Sequence, residues 1–129
     1  MKTYIQRIIN DTIKKLNYPT VDFSVEQPKD EKFGDYSANI AMMLARPLKS
    51  NPRKIAQEIS DNLIYDKDNF EKIEIAGAGF LNFYFSKKYF QKALNNIISE
   101  GKNFGRLNLN AGRKVNVEWV SANPTKPLH

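Results

Sequence analysis

The stretch that decides the fold is Lys72-Ile73-Glu74-Ile75-Ala76-Gly77-Ala78-Gly79-Phe80-Leu81-Asn82-Phe83-Tyr84-Phe85. It contains two strand-like runs, 72–75 and 80–85, separated by four residues of which two are glycine. Two glycines so close together permit a tight turn or a bulge. Side chains alternate between the two sides of a strand, so the second run has two different faces. One face holds Leu81, Phe83 and Phe85, and the other holds Phe80, Asn82 and Tyr84.

Two helices are predicted from clear local signals. Apolar residues at helical spacing predict a helix over 3–17, which ends at Tyr18-Pro19 because the residue before proline avoids the helical conformation. Asn51-Pro52 predicts the start of another helix over 52–64, with asparagine as the cap and proline in the first helical position. The apolar residues that mark these two helices are Ile5, Ile8, Ile9, Ile13, Leu16, Ile55, Ile59 and Leu63.

Two further helices are predicted less directly. One runs from about Tyr36 to Arg46, with Asp35 as its N-cap and Pro47 as its end. The other follows Ser86, which can cap it, and ends before Gly101, a residue suited to the position just past a helix. We expect the core face of this last helix to consist of Phe90, Ala93, Leu94, Ile97 and Ile98.

The remaining segments complete an α+β domain. Val21, Phe23 and Val25 alternate with polar residues, as in a half-buried strand, and residues 28–34 form a charged loop. Residues 101–112 carry three glycines and three asparagines, which is typical of a linker. The pattern predicts a domain over 1–100 with a small antiparallel sheet and about four helices, a linker over 101–112, and the first strand of another domain over 113–129. That last strand is marked by Val115, Val117 and Trp119.

Composition restricts the class of protein. The 129 residues are 41% hydrophobic and 26% charged, which is an ordinary balance for a water-soluble domain. We see no signal peptide at the N-terminus and no apolar run long enough for a membrane span. The formal net charge of +6 favours a polyanionic partner such as nucleic acid, although a basic protein without such a partner fits the composition equally well.

Most catalytic templates are excluded by residue type. The chain has no cysteine, one histidine and no glycine-rich phosphate loop, and it shows no cluster of metal ligands. Gly77-Ala78-Gly79 is too short for a dinucleotide-binding motif. Paired carboxylates such as Glu58 and Asp61 are expected on a solvated helix face.

The face formed by Phe80, Asn82 and Tyr84 is a candidate RNA-binding surface. An exposed aromatic ring on a sheet can stack on an unpaired base, and an amide beside it can bind the edge of that base. Alternatively, helices cover both sides of the sheet and these side chains belong to the core. Periodicity alone favours the core.

Three segments of the chain resemble arginyl-tRNA synthetases. The last, Glu118-Trp119-Val120-Ser121-Ala122-Asn123-Pro124-Thr125-Lys126-Pro127-Leu128-His129, is similar to the segment that opens the Rossmann-type catalytic domain of that family and leads into the His-x-Gly-His signature of class I synthetases. Phe33-Gly34-Asp35-Tyr36-Ser37-Ala38-Asn39-Ile40-Ala41-Met42 and Ile75-Ala76-Gly77-Ala78-Gly79-Phe80-Leu81-Asn82-Phe83 resemble its N-terminal additional domain. In this comparison the last residue, His129, is expected to be the first histidine of the signature.

The resemblance implies roles in arginine and ATP binding for the last segment. Glu118 matches the acid that holds the guanidinium, and Ser121 and Asn123 match groups that hold the amino and carboxyl ends of arginine. His129 matches the first signature histidine, which contacts the ATP phosphates. Lys126 stands where many relatives have glycine, and by similarity it supplies a cation to those phosphates. The signature region comprises Ala122, Asn123, Pro124, Thr125, Lys126, Pro127, Leu128 and His129.

The resemblance also implies a role in tRNA binding for the sheet. Phe80 and Asn82 match residues that contact the tRNA D-loop, and Tyr84 shares their face. A third contact of the family falls at Gly77, which has no side chain. The full enzyme is then expected to be a cytoplasmic, monomeric arginine–tRNA ligase that uses ATP and Mg²⁺ and binds tRNA(Arg). This chain alone is expected to be inactive and to bind no cofactor; the alternatives are a non-catalytic basic RNA-binding module and a domain that only packs on a neighbouring domain.

Overall fold

The computed structural model describes residues 1–106, 112, 114, 116 and 117. The chain divides into two compact units, Met1–Ser99 and Glu100–His129, and the fold below concerns the first of them. Its helices are α1 (Lys2–Lys15), α2 (Ile40–Leu48), α3 (Pro52–Asn62) and α4 (Lys87–Glu100), and its strands are β1 (Val25–Glu26), β2 (Tyr36–Ala38), β3 (Phe70–Ala76) and β4 (Phe80–Phe85). Short 3-10 turns occupy Glu31–Phe33 and Gly101–Asn103.

The four strands form one antiparallel sheet in the order β1-β2-β4-β3. β2 pairs with β4 so that Ser37 lies opposite Asn82, and β3 pairs with β4 so that Glu74 lies opposite Asn82 on the other side. The prediction of an α+β domain with a small antiparallel sheet and four helices is therefore confirmed for the described residues.

The core lies between one face of the sheet and helices α1, α2 and α3. Leu81 and Phe83 of β4 are fully buried there, as the alternation predicts. Phe85 completes the same face and packs against the ring of Phe70, with 5.8 Å between the centroids. The helices contribute chiefly isoleucine and leucine to this core: Ile5, Ile8, Ile9, Ile13, Ile40, Leu44, Ile55 and Ile59.

The two helices with clear local signals form close to their predicted positions. The Asn51 side chain accepts a hydrogen bond from the Arg53 backbone N–H at 2.8 Å, and α3 begins at Pro52 as expected. α1 ends earlier than predicted, because Asn17 adopts a left-handed φ of 57° and the Tyr18 N–H bonds to the Ile13 carbonyl.

The prediction for the second helix was wrong at its start. Residues 36–38 belong to strand β2, and the helix begins at Ile40 after Asn39. Asp35 is not a helix cap, because its Oδ2 accepts a hydrogen bond from the Phe85 N–H at 2.7 Å. Pro47 lies inside the last turn rather than after it; both Pro47 and Met43 are exposed, so water can reach the carbonyl that proline leaves unbonded.

The strand predicted over 21–25 is shorter than expected. Only Val25 and Glu26 pair with β2, while Val21 and Phe23 pack on the core as partly buried side chains. β3 in turn is longer than the predicted run, because it begins at the buried Phe70 and includes a bulge between Phe70 and Lys72.

The predicted core face of the last helix was wrong. Ser86 does cap α4, since its Oγ accepts a hydrogen bond from the Tyr89 N–H at 3.1 Å. Yet no side chain of α4 is buried, and the residues expected in the core are half-buried (Ala93) or exposed (Phe90, Leu94, Ile97 and Ile98). An apolar stripe shows that a helix can bury one side, but it does not supply the element that would cover it.

Candidate nucleic-acid interface

A cleft of about 470 Å³ opens on the outer face of the sheet, opposite the helical core. Phe80 and Asn82 of β4 and Ser37 of β2 line it from the sheet, while Lys29 and Phe33 line it from the connection between β1 and β2. This connection, residues 27–35, is called the cleft loop below. The cleft therefore joins two segments that are far apart in sequence.

Phe80 stands at the start of β4 and is 39% exposed. The preceding turn places it there: Gly77 and Gly79 adopt φ values of +53° and +128°, which side chains rarely tolerate. An added Cβ on Gly79 would lie 3.0 Å from the Pro52 backbone, so the turn sits directly against the start of α3. Arg53 also donates a hydrogen bond from Nη1 to the Gly77 carbonyl at 2.8 Å.

Asn82 forms the polar floor of the cleft and is only 2% exposed. Its Oδ1 accepts a hydrogen bond from the Ser37 hydroxyl at 2.7 Å, a contact that the direct pairing of the two residues across β2 and β4 makes possible. An amide with its oxygen bonded in this way can still donate from its nitrogen. The cleft therefore combines an exposed aromatic ring with an amide in a defined position.

Tyr84 shares the strand face of Phe80 and Asn82 but does not line the cleft. Its hydroxyl donates a hydrogen bond to the Lys32 carbonyl at 2.7 Å, and the Lys72 Nζ lies 4.2 Å from its ring centroid. Partial burial and the Glu74 carboxylate raise the pKa of the Tyr84 hydroxyl. Tyr84 thus holds the cleft loop on the sheet.

The cleft loop is held at three successive points beside β4. Besides the Tyr84 bond to the Lys32 carbonyl, the Asp35 N–H donates to the Phe83 carbonyl at 2.9 Å and the Asp35 carboxylate accepts from the Phe85 N–H. Between them, Gly34 has a φ of +87°, and an added Cβ would lie 2.7 Å from the Phe83 carbonyl oxygen. Only glycine lets the loop lie this close to the strand.

Sequence reasoning found Phe80 and Asn82 from strand alternation and predicted a loop over 28–34, but it missed Ser37 and the position of that loop beside the cleft. Ser37 had been assigned to a helix, so its pairing with Asn82 could not be anticipated. A signal for the loop existed in Gly34-Asp35, because glycine beside a short acidic residue is typical of a sharp turn. That signal does not say which strand the loop will contact.

The alternative interpretation required helices over this face, but no α-helix of the described residues lines the cleft. The rings of Phe33 and Phe80 remain partly exposed, and Glu26 and Lys29 bring charges of both signs to the cleft. The residues that the structure describes contain no group of three or more His, Cys, Asp or Glu side chains that could hold a metal ion. Each helix in that part of the chain is too short or too polar to pass through a lipid bilayer.

The residues predicted to bind arginine and ATP lie outside the described part of the chain. They are Glu118, Ser121, Asn123, Lys126 and His129, with the whole signature region Ala122–His129. The strand predicted around Val115, Val117 and Trp119 also falls largely among residues that are not described.

Comparison with known proteins identifies the family. Residues 3–85 match the family model for the arginyl tRNA synthetase N terminal domain. The matched region begins in α1 and ends with β4, and so includes the whole sheet and the cleft. The chain belongs to this family.

Similar proteins with curated names are arginine–tRNA ligases. The chain is 41% identical to that of Caldanaerobacter subterraneus subsp. tengcongensis over 132 aligned positions, covering 100% of this chain and 24% of the relative. It is 48% identical to that of Staphylococcus aureus over 108 positions, covering 84% of this chain and 20% of the relative. The chain thus spans about a quarter of the length of the curated relatives it matches.

Two solved structures share the fold. The arginyl-tRNA synthetase of Plasmodium falciparum superposes with a TM-score of 0.65 and 26% identity over 74% of this chain and 18% of that one. The enzyme of Thermus thermophilus gives a TM-score of 0.62 and 26% identity over 72% of this chain and 15% of that one. The described fold therefore corresponds to a small part of each of these longer synthetases.

Proposed function

We propose that this chain is the N-terminal part of an arginine–tRNA ligase and that its own role is to hold the tRNA through the D-loop. The observation that carries this proposal is the cleft itself, where the partly exposed ring of Phe80 stands beside the buried amide of Asn82. A ring can stack on any base and an amide can select among base edges, which suits an unpaired loop of RNA.

Charge supports the same ligand. The chain has a formal net charge of +6. Lys29 lines the cleft together with the opposite charge of Glu26, and the lysine can approach a phosphate next to a stacked base. The cleft volume of about 470 Å³ lies within the range of small-ligand sites, so it has room for a nucleotide rather than for a helical segment of RNA.

Phe80→Ala tests the D-loop role in the full-length protein. We expect tRNA affinity to weaken by about 1–3 kcal/mol, the typical contribution of one stacked base, with arginine activation unchanged. Ile64→Ala is a matched control, because Ile64 is an exposed apolar side chain outside the cleft. Undiminished tRNA affinity in the Phe80 variant, with activation intact, would rule out the D-loop role.

The full-length protein is proposed to join arginine to tRNA(Arg) through an arginyl-adenylate, with ATP and Mg²⁺ as co-substrates. We further propose that it works as a monomer in the cytoplasm. Support comes from the family, from relatives named arginine–tRNA ligase and from an alignment that extends over the last segment of this chain. In this proposal Glu118, Ser121 and Asn123 hold arginine, and Lys126 and His129 contact the ATP phosphates.

Glu118→Gln tests the proposed arginine site. The change keeps the shape of the side chain and removes the charge that pairs with a guanidinium. In steady-state activation assays of the full-length enzyme, we expect the KM for arginine to rise far more than the KM for ATP. Equal changes in both constants would contradict a guanidinium contact. A full-length protein without any activation would instead favour a non-catalytic RNA-binding module.

A further inference from the structure

We infer that Phe33 is a second aromatic wall of the cleft and that it stacks on the same unpaired RNA base as Phe80; this inference rests on the proposed function. Phe33 and Phe80 both line the cleft and come from different segments, one from the cleft loop and one from β4. They are exposed to nearly the same extent, 42% and 39%. A base held between two rings is buried on both of its faces.

Among the described residues, neither ring stacks on another ring, although the Lys32 Nζ lies over one face of Phe33. Most aromatic side chains of the described residues pack against another ring, but neither Phe33 nor Phe80 is among them. Neither belongs to the buried core. Two partly exposed phenylalanines that line one cleft leave apolar surface in water, and stacking on a base would remove it.

The backbone around Phe33 is already held in position. Phe33 ends a 3-10 turn that Asp30 caps, and it lies between two points attached to β4, the Lys32 carbonyl and Gly34. The Phe33 N–H also donates to the Asp30 carbonyl at 3.0 Å. A ring on such a backbone loses little freedom on binding, which favours affinity.

A cation accompanies the ring. The Lys32 Nζ lies 4.9 Å from the centroid of Phe33 and 2.7 Å from the Asp30 carboxylate, so its charge stays beside the ring. The Asp30 carboxylate offsets the Lys32 charge, so we expect Lys29 on the cleft lining to approach a phosphate beside the stacked base. The ligand class is therefore an unpaired nucleotide within an RNA chain.

The decisive experiment combines protein variants with modified RNA. Full-length wild type, Phe33→Ala, Phe80→Ala and the double variant are titrated with arginine tRNA transcripts. One transcript is intact, and each of the others lacks a single base in the D-loop. On intact tRNA we expect Phe33→Ala to weaken binding about tenfold, as one lost stacking contact does. On one of the shortened transcripts, Phe80→Ala should bind as tightly as the wild type, because the base that it stacks on is missing. On that same transcript, Phe33→Ala should also bind as tightly as the wild type.

Two further variants make the result specific. Phe33→Leu keeps an apolar side chain on the loop without a stacking ring, so it should lose most of the affinity that Phe33→Ala loses. Ile64→Ala should bind every transcript as the wild type does.

The outcomes separate the two proposals. If Phe33→Ala binds intact tRNA normally while Phe80→Ala does not, the inference fails and the D-loop role stands. The inference also fails if Phe33→Ala still weakens binding fully on the transcript for which Phe80→Ala no longer changes the affinity. If Phe80→Ala has no effect on any transcript, the D-loop role fails and the second wall fails with it.

Discussion

The two faces of β4 have almost the same aromatic content but opposite surroundings. Leu81 and Phe83 are fully buried against the helices, whereas Phe80 on the opposite face is 39% exposed beside the buried amide of Asn82. Strand alternation creates both faces, but in the described part of the chain only the inner one is covered by helices. The comparison teaches that one strand can stabilise a domain from one side and present the proposed binding surface on the other.

The largest loss of stability is expected when an aromatic ring is removed from the inner face of β4. Phe83→Ala leaves a cavity among Phe70, Leu81 and the helices, and we expect the free energy of unfolding to fall by about 3–5 kcal/mol. Phe80→Ala removes the same side chain from the outer face and should cost far less. Urea denaturation of both variants measures this difference. Equal losses would mean that the two faces do not differ as described.

An intermediate loss of stability is expected for a substitution where the cleft loop contacts β4. Gly34→Ala forces a Cβ to within 2.7 Å of the Phe83 carbonyl oxygen at a φ of +87°, so the loop must shift. We expect a loss of about 1–3 kcal/mol in unfolding free energy, together with weaker tRNA binding because the cleft changes shape.

Gly77→Ala is the matched control for this change. Gly77 has a φ of +53°, and an added Cβ would meet the Phe80 Cδ2 at an ordinary 3.8 Å, so the control retains the backbone strain without the clash. A Gly34 variant no less stable than the Gly77 variant would show that close contact with β4 is unimportant. A destabilised Gly34 variant with normal tRNA affinity would separate the loop from the binding surface.

The smallest loss of stability is expected at the contact between Tyr18, which follows α1, and Glu58 of α3, and it depends on pH. The Tyr18 hydroxyl donates a hydrogen bond to the Glu58 carboxylate, which together with burial raises the pKa of Tyr18 from 10.0 to about 12. The folded state then holds this proton more tightly than the unfolded chain. The stabilisation is therefore complete below pH 10 and declines as the pH rises toward 12.

Tyr18→Phe removes this interaction and should cost about 1 kcal/mol or less at neutral pH, as for other partly exposed contacts. Its stability should converge with that of the wild type between pH 10 and pH 12 in urea denaturation. Affinity for tRNA at neutral pH should not change, because Tyr18 does not line the cleft. A constant gap in stability across that range would contradict the assigned pKa.

The fold was predictable where a local signal and the tertiary contacts agree. Asn51-Pro52 specifies the start of α3 by itself, and the alternation in β4 specifies which side chains face the core. The prediction failed at Tyr36-Ser37-Ala38, where residues compatible with a helix are recruited as a strand by pairing with β4. It failed again at α4, because periodicity gives the apolar side of a helix but not its partner.

The candidate site was predictable only in the part that lies on one strand. Phe80 and Asn82 follow from a period of two within β4, but Ser37 reaches Asn82 through strand pairing and Phe33 reaches the cleft through a loop. Such contacts depend on register and loop path, which no local pattern contains. Their positions become clear only when the strand order is known.

The strand order implies that this surface is already formed before RNA binds. Ser37, Phe80 and Asn82 lie on β2 and β4, the two interior strands of the sheet, whose backbone is hydrogen-bonded on both sides. Interior strands open rarely, so amide hydrogens there exchange slowly with solvent. A base that enters the cleft would meet a surface that is already formed, and the work of unstacking would fall on the RNA.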